Sequence, residues 1–138
     1  MSAKAFLDSN ILVYCFDTNE LQKQKRAREL IETLVKTKTG RISTQCLQEF
    51  FNVVTKKLKC PKEEAFKDVE GFSKLFPVYC ITPKDILVAI GISIKTQFSF
   101  YDSLILAAAK ALGCDVVYSE DLSHGQVVDG VRIENPFG

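Results

Sequence analysis

Short, uniformly apolar segments alternate with longer amphipathic segments along this chain. Runs of three or four apolar residues at 5–7, 78–81 and 116–118 are typical of strands buried on both faces of a sheet. Between these runs, apolar residues recur at spacings of three and four, which predicts amphipathic helices. Because strands that alternate with helices build parallel sheets covered by helices, the sequence predicts an α/β fold with a central, mostly parallel sheet.

The ends of several helices can be predicted from local signals. Gly40 follows the longest amphipathic segment as a stop signal, and Pro61 closes the next one. Thr82, Pro83 and Asp85 supply an N-cap, a proline at the first helical position and an acid at the third. A short helix follows the first strand; the other predicted helices cover 20–38, 46–58, 62–75, 82–96 and 99–112, and the remaining strands cover 41–44 and 131–133.

The chain is long enough to form one domain with a full hydrophobic core. It has 138 residues, 46% of them hydrophobic and 25% charged, which excludes a disordered chain and a small disulfide-stabilised scaffold. The five cysteines are an odd number and lie at least 14 positions apart, so neither disulfides nor a cysteine zinc site is expected. We therefore expect a single domain spanning residues 1–138.

Nothing in the sequence predicts insertion into a membrane or export. The longest uncharged apolar stretch, 86–94, has nine residues, whereas a helix that spans a bilayer needs about 20. The first residues lead directly into a predicted strand and lack the basic start, apolar stretch and cleavage site of a signal peptide. The expected location is therefore the cytoplasm, with no membrane contact.

The net charge of +1 conceals an uneven distribution. Residues 23–67 include twelve basic and five acidic side chains, and the rest of the chain has six basic and twelve acidic ones. A basic region attracts polyanions such as RNA, but lysines also commonly form solvated helix faces, and the sequence leaves both interpretations open. The candidate RNA-binding residues are Lys23, Lys25, Arg26, Arg28, Lys56 and Lys57.

Four acidic residues stand where an α/β sheet places its ligand crevice. Asp8 and Asp121 follow predicted strands, and ligands of such sheets bind beyond the carboxyl ends of the strands. Glu49 and Asp102 belong to helices that could border the same crevice, and Glu49 has apolar neighbours on its helix. Each acid also has a structural explanation: Asp8 and Asp121 as turn residues, Glu49 as an exposed helix residue, and Asp102 as part of a capping box with Ser99.

The four acids together suggest a metal site. Carboxylates that converge in one crevice repel one another unless a cation neutralises them, and oxygen ligands alone favour Mg²⁺ or Mn²⁺. Other chemistries have less support, because His124 has no serine or cysteine nucleophile motif around it and no glycine-rich phosphate-binding loop is present. We therefore expect a Mg²⁺ or Mn²⁺ site made of acids, with His124 as a loop residue.

The segments around these acids carry recognisable motifs. They are Phe6–Asn10 (FLDSN), Gln48–Val53 (QEFFNV), Tyr101–Ala109 (YDSLILAAA) and Tyr118–Leu122 (YSEDL). Their residues, order and spacing resemble the PIN domain family. The stretches Ser119–Gly125 and Gly130–Phe137 further resemble the subgroup of VapC-type ribonuclease toxins from bacterial toxin–antitoxin pairs.

The resemblance implies a Rossmann-like α/β/α sandwich and a Mg²⁺- or Mn²⁺-dependent endoribonuclease that hydrolyses RNA phosphodiester bonds. The implied catalytic residues and metal ligands are Asp8, Glu49, Asp102 and Asp121, with Glu120 as an alternative to its neighbour Asp121. The expected chemistry is the in-line attack of an activated water on phosphorus.

The resemblance also implies supporting residues and partners. Ser9, Asn10 and Ser119 would orient the acidic ligands or water. The implied partners are RNA, with transfer RNA as the common target of the family, a cognate antitoxin protein, and a second copy of the chain in a homodimer.

Three other functions share parts of this pattern. A phosphatase of the haloacid dehalogenase type also begins with an aspartate after its first strand, but it needs an acid two positions later, where this chain has Asn10. A PIN-fold module that binds RNA or protein without catalysis would not need all four acids. A PIN nuclease that processes RNA outside any toxin–antitoxin pair would keep the same acids.

Overall fold

The computed structural model describes residues 3–138, and this range contains six strands and six helices. The strands are β1 (Ala5–Leu7), β2 (Gly40–Ser43), β3 (Val78–Tyr79), β4 (Val116–Tyr118), β5 (Val127–Val128) and β6 (Val131–Glu134). The helices are α1 (Ser9–Tyr14), α2 (Leu21–Thr37), α3 (Thr44–Lys56), α4 (Lys62–Leu75), α5 (Pro83–Thr96) and α6 (Phe100–Ala111).

The six strands form one sheet in the order β3-β2-β1-β4-β6-β5. Every neighbouring pair in it is parallel except β5 and β6. A pair of helices connects β1 to β2, β2 to β3, and β3 to β4. The sheet is thus central, mostly parallel and flanked by helices, which confirms the predicted fold class.

The direction of chain progression changes at β1. From β1 the chain moves outward through β2 to β3, and it then returns to place β4 on the other side of β1. Such a switch point opens a crevice beyond the carboxyl ends of the two central strands. The residues that follow β1 and β4 therefore lie side by side at one edge of the sheet.

The predicted stop signals lie beyond the helices that they were expected to end. Helix α2 ends with Lys38 in the left-handed conformation as its C-cap, so Gly40 already belongs to β2, and α3 ends at Lys56, so Pro61 is the N-cap of α4.

Local signals do account for the predicted starts of α5 and α6. Thr82 and Asp85 form a capping box around Pro83 at the start of α5. Ser99 is the N-cap of α6 and accepts a hydrogen bond from the backbone N–H of Asp102. Helix α6 is the most buried helix of the described chain, since every residue from Ser103 to Ala109 is buried.

The structure differs from the predicted elements in three places. Thr44 belongs to α3 and not to the preceding strand, because Ser43 is the N-cap of that helix. The strand predicted over 78–81 covers only Val78–Tyr79. Strand β5 was not predicted; it pairs with β6 across Asp129 and Gly130, whose φ angles of 48° and 84° are typical of a two-residue hairpin turn.

All five cysteines are free thiols. Among residues 3–138, no helix combines the length and the apolar character needed to cross a bilayer.

Candidate active site

Asp8 lies at the carboxyl end of β1, beside the end of β4. Leu7 pairs with Tyr118 in the sheet, and the backbone N–H of Asp8 donates to the Tyr118 carbonyl at 3.0 Å. Ser119 Oγ donates to Asp8 Oδ2 at 2.8 Å. Asp8 is also the N-cap of α1, where Oδ1 accepts the backbone N–H of Ser9 at 2.7 Å. Two strands and one helix therefore fix the position of this carboxylate.

The hydrogen-bond donors around Asp8 are all uncharged. Asp8 is only 5% exposed, and within residues 3–138 its carboxylate forms no ion pair. Burial raises the pKa of Asp8 to about 6; the bonds from Ser119 and Ser9 oppose this rise, and the charges of Glu49 and Asp121 add to it. A buried carboxylate whose charged form is disfavoured in this way would be stabilised by a cation.

Glu49 reaches the same edge of the sheet from α3, the helix that follows β2. Ser9 Oγ lies 3.0 Å from Glu49 Oε1 and 3.4 Å from Asp8 Oδ1. Because a hydroxyl has a single proton, Ser9 donates to the nearer oxygen, that of Glu49, and spans the two carboxylates. Glu49 is half-buried, so it is not the exposed helix residue that the sequence left as an alternative.

Asn10 connects Asp121 to this pair. Its Nδ2 lies 3.0 Å from Asp121 Oδ2, 3.3 Å from Ser119 Oγ and 3.4 Å from Asp8 Oδ2. Its Oδ1 accepts the backbone N–H of Glu120 at 3.3 Å, so the orientation of the amide is fixed by donors on one side and acceptors on the other. Asn10 and Ser119 thus hold Asp121 beside Asp8.

Glu120 has different partners from its neighbour Asp121. Lys23 Nζ lies 2.6 Å from Glu120 Oε2, and the Tyr14 hydroxyl donates to Oε1. Burial raises the pKa of Glu120, but Lys23 and Tyr14 outweigh it and hold that pKa below its usual value. The structure therefore brings Asp121, and not its predicted alternative, onto the side chains around Asp8. Tyr14 was not identified from the sequence.

Asp102 is the third residue of α6, and its backbone N–H donates to Ser99 Oγ at 3.1 Å. The reciprocal bond of a capping box is not formed: within residues 3–138, the carboxylate of Asp102 accepts no hydrogen bond. In α5 the equivalent carboxylate, that of Asp85, does accept the Thr82 N–H, at 2.8 Å. The capping-box explanation of Asp102 is therefore wrong for its side chain.

Gln45 links the first turn of α6 to Glu49. Its Nε2 donates to the Tyr101 carbonyl at 3.0 Å and lies 3.4 Å from Glu49 Oε2. This bond ties the first turn of α6, which carries Asp102, to α3, which carries Glu49. Sequence reasoning did not identify Gln45, although its position four residues before Glu49 on one helical face was a usable signal.

The donor set fits a hard divalent cation. Within residues 3–138, no three acidic, histidine or cysteine side chains converge at the spacing of metal ligands. Mg²⁺ does not require three, because it keeps several waters and binds through one or two carboxylates together with substrate phosphates. Carboxylate oxygens around the buried Asp8, with no thiolate or imidazole among them, are the ligands that Mg²⁺ and Mn²⁺ prefer.

The predicted RNA-binding cations fall into two groups. Three of those on α2 are bonded to other parts of the chain: Lys23 to Glu120, Arg26 to the Pro136 carbonyl at 3.1 Å, and Arg28 to the Cys15 carbonyl at 2.8 Å. Lys25, Lys56 and Lys57 are exposed, and in the described part of the chain none of them pairs with an acid.

Lys57 lies in the wall of a depression beside the acids. The depression has a volume of about 330 Å³, and Asn10 and Asp121 also line it. Val53 and Leu58 contribute apolar surface. A cation, an apolar surface and the edge of the acidic site thus meet in one place.

His124 is a turn residue, as expected. Its Nδ1 accepts the backbone N–H of Asn135 at 2.9 Å, which ties its loop to the segment after β6. Among the described residues, it forms no hydrogen bond with the four acids.

A family model matches most of the chain. The model described as PIN domain matches residues 5–128. No curated protein matches the chain in sequence.

Solved structures of similar fold cover nearly the whole chain. DNA-bound VapBC from Salmonella typhimurium has a TM-score of 0.72 at 22% identity, over 98% of this chain and 99% of that chain. VapBC2 from Rickettsia felis, bound to a promoter DNA fragment, has a TM-score of 0.72 at 20% identity, over 95% and 97%. VapC20 from Mycobacterium tuberculosis, a toxin that cleaves the sarcin–ricin loop, has a TM-score of 0.67 at 16% identity, over 86% and 90%. At these identities the likeness establishes the fold.

Proposed function

Because the chain belongs to the PIN domain family, we propose that it is a Mg²⁺- or Mn²⁺-dependent endoribonuclease that hydrolyses RNA phosphodiester bonds. The observation that carries the proposal is the buried Asp8, connected through Ser9 to Glu49 and through Asn10 to Asp121. Acids concentrated at the switch point of an α/β sheet, with no charged partner for Asp8 among residues 3–138, favour chemistry that uses a divalent cation.

Each residue of the site has a proposed role. Asp8 and Asp102 would bind the cation directly, and Glu49 and Asp121 would bind it directly or through water. When bound, a divalent cation activates the attacking water and offsets the charge that develops on the phosphate. Ser9, Asn10 and Ser119 would keep the carboxylates oriented, as their hydrogen bonds to Glu49, Asp121 and Asp8 indicate.

We further propose that the protein is the toxin of a VapBC-type pair. The support is the fold it shares with VapBC complexes and with a toxin that cleaves the sarcin–ricin loop, together with the motifs around the four acids. On this proposal its partners are a cognate antitoxin and a second copy of the chain. It would act on cytoplasmic RNA, and transfer RNA is the first substrate to test.

The decisive experiment is cleavage of total cellular RNA, and of purified transfer RNA, by the purified protein. Reactions contain Mg²⁺, Mn²⁺ or a chelator, with the Asp8→Asn variant run in parallel. Metal-dependent cutting that the variant lacks supports the nuclease. Equal cutting by both proteins would indicate a contaminant, and metal binding without any cutting would favour a non-catalytic binding module.

Lys57 is expected to contribute to RNA binding through the phosphate backbone. Lys57→Met should raise KM several-fold and reduce the slope of log KM against log salt by about 1, because one counterion-releasing contact is lost. The matched control is Lys59→Met, since Lys59 is also exposed but does not line the depression beside Asp121. Equal effects of the two variants on KM would contradict the role of Lys57.

A further inference from the structure

Gln45 is a buried polar residue in the first turn of α3, and it is only 4% exposed. Its amide nitrogen faces two acceptors on different helices: the Tyr101 carbonyl at 3.0 Å, on α6, and Glu49 Oε2 at 3.4 Å, on α3. An amide NH₂ has two protons, so both acceptors can be served at once. Gln45 is therefore the side chain that joins Glu49 to the segment that carries Asp102.

The orientation of this amide is fixed by its surroundings. With the opposite orientation, Oε1 would face a carbonyl oxygen and a carboxylate oxygen, which are both acceptors. In the orientation present, Oε1 is buried and has no hydrogen-bond partner among the described residues. Leaving a buried acceptor unpaired costs free energy. The two contacts of the Gln45 nitrogen are therefore formed at the expense of its oxygen.

We propose that Gln45 is a positioning residue, which fixes Glu49 relative to the first turn of α6 so that Glu49 and Asp102 can act on the same cation. The proposal rests on the proposed metal-dependent function. Glu49 is held from both sides, since Ser9 Oγ donates to its Oε1 at 3.0 Å and Gln45 contacts its Oε2. Without Gln45, one of these restraints and the only side-chain hydrogen bond from α3 to α6 among the described residues would be lost.

The test uses Gln45→Met, which preserves the length and burial of the side chain but removes its hydrogen bonds. Mn²⁺ affinity is measured without RNA, from the spectroscopic signal of free Mn²⁺, and kcat and KM are measured separately. We expect about tenfold weaker Mn²⁺ binding and a fall in kcat of about 10- to 100-fold, as is typical when a residue that orients a ligand is lost. KM for RNA should stay unchanged.

Two control variants separate positioning from general damage to the fold. Ser103→Ala removes a buried hydroxyl that has no hydrogen-bond partner in the described part of the chain and follows Asp102 in the sequence. Gln48→Met makes the same chemical change as Gln45→Met at an exposed site of α3. Both should bind Mn²⁺ as the unmodified protein does. If Gln45→Met fails to fold, Gln45→Asn, which keeps the amide but is too short to span both contacts, takes its place.

A double-mutant cycle tests whether Gln45 acts through Glu49. In a Glu49→Gln background, adding Gln45→Met should weaken Mn²⁺ binding by less than about twofold, because the group being positioned is already gone. Additive losses would overturn the proposal, as would unchanged Mn²⁺ affinity in Gln45→Met. If the unmodified protein neither bound Mn²⁺ nor cut RNA, the proposed function itself would fail, which is a different result.

Discussion

Replacing Asp8 with asparagine is expected to lower metal-dependent RNA cleavage by at least about a hundredfold, and at the same time to stabilise the metal-free protein. Asp8 stands between Glu49 and Asp121 in the site: Ser9 donates its backbone N–H to Asp8 and its hydroxyl to Glu49, and Asn10 Nδ2 faces both Asp8 and Asp121. Removal of the Asp8 carboxylate takes away the central negative charge that a cation would bind. The same removal relieves a burial penalty, so activity and stability should change in opposite directions.

The sign of the stability change follows from the pKa of Asp8. In the folded protein burial raises that pKa from 3.8 to about 6. The folded state therefore binds this proton more tightly than the unfolded chain does, and the charged form is penalised on folding. This penalty is absent below the unfolded pKa and complete above about pH 6. The difference between the folded and unfolded pKa corresponds to about 3 kcal/mol in the free energy of unfolding.

The measurement is the free energy of unfolding by urea, in chelator, at about pH 4 and about pH 8. Asp8→Asn should be more stable than the unmodified protein at the higher pH, by up to about 3 kcal/mol, and should lack this part of the pH dependence. Asp115→Asn is the control, because Asp115 is exposed at the amino end of β4, on the opposite edge of the sheet. An Asp8→Asn protein that is less stable than the unmodified protein at both pH values would contradict the account.

The position of Asp8 could be predicted because it depends on short-range information. A buried strand followed by a polar residue identifies a carboxyl end, and parallel strands bring such ends to one edge of the sheet. The same reasoning applied to Asp121. Strand β5 also has a local signal, because Asp129-Gly130 between valines is typical of a two-residue hairpin turn.

The choice between Glu120 and Asp121 could not be made from the sequence. The two acids are adjacent, and their roles are decided by residues distant in the chain. Tyr14 and Lys23 bond to Glu120, whereas Asn10 contacts Asp121. Lys23 illustrates the same limit, because a lysine on a basic helix face is indistinguishable in sequence from one that is paired with an acid. Such tertiary contacts leave no periodic signal.

Asp85 and Asp102 occupy the same position, the third residue of a helix, and are expected to respond oppositely to replacement by asparagine. The Asp85 carboxylate accepts the Thr82 N–H and the Thr82 hydroxyl, both at 2.8 Å, and the Tyr79 hydroxyl at 2.8 Å. Asp85→Asn removes the negative charge that these three donors face, and in one orientation of the amide it places an NH₂ group opposite them. It should lower the free energy of unfolding by about 2 kcal/mol, because hydrogen bonds to charged groups are worth this much.

Asp102→Asn should leave stability unchanged to within about 0.5 kcal/mol, because the Asp102 carboxylate accepts no hydrogen bond within the described chain and the N–H bond to Ser99 is a backbone bond. RNA cleavage should fall by at least about a hundredfold in Asp102→Asn, whereas Asp85→Asn should keep the full rate per folded molecule.

Both variants are tested by urea unfolding in chelator and by cleavage rates in Mn²⁺. The expected pattern is crossed: Asp85→Asn loses stability and keeps activity, whereas Asp102→Asn keeps stability and loses activity. If Asp102→Asn is strongly destabilised, the Asp102 carboxylate acts as a helix cap. If the variant is fully active, Asp102 is not part of the active site. Among the described residues, the Asp85 carboxylate shares no hydrogen bond with the Asp8 network, so loss of cleavage in folded Asp85→Asn would mean that the start of α5 affects the chemistry by another route. Only this crossed pattern assigns Asp85 to the stability of the fold and Asp102 to the reaction.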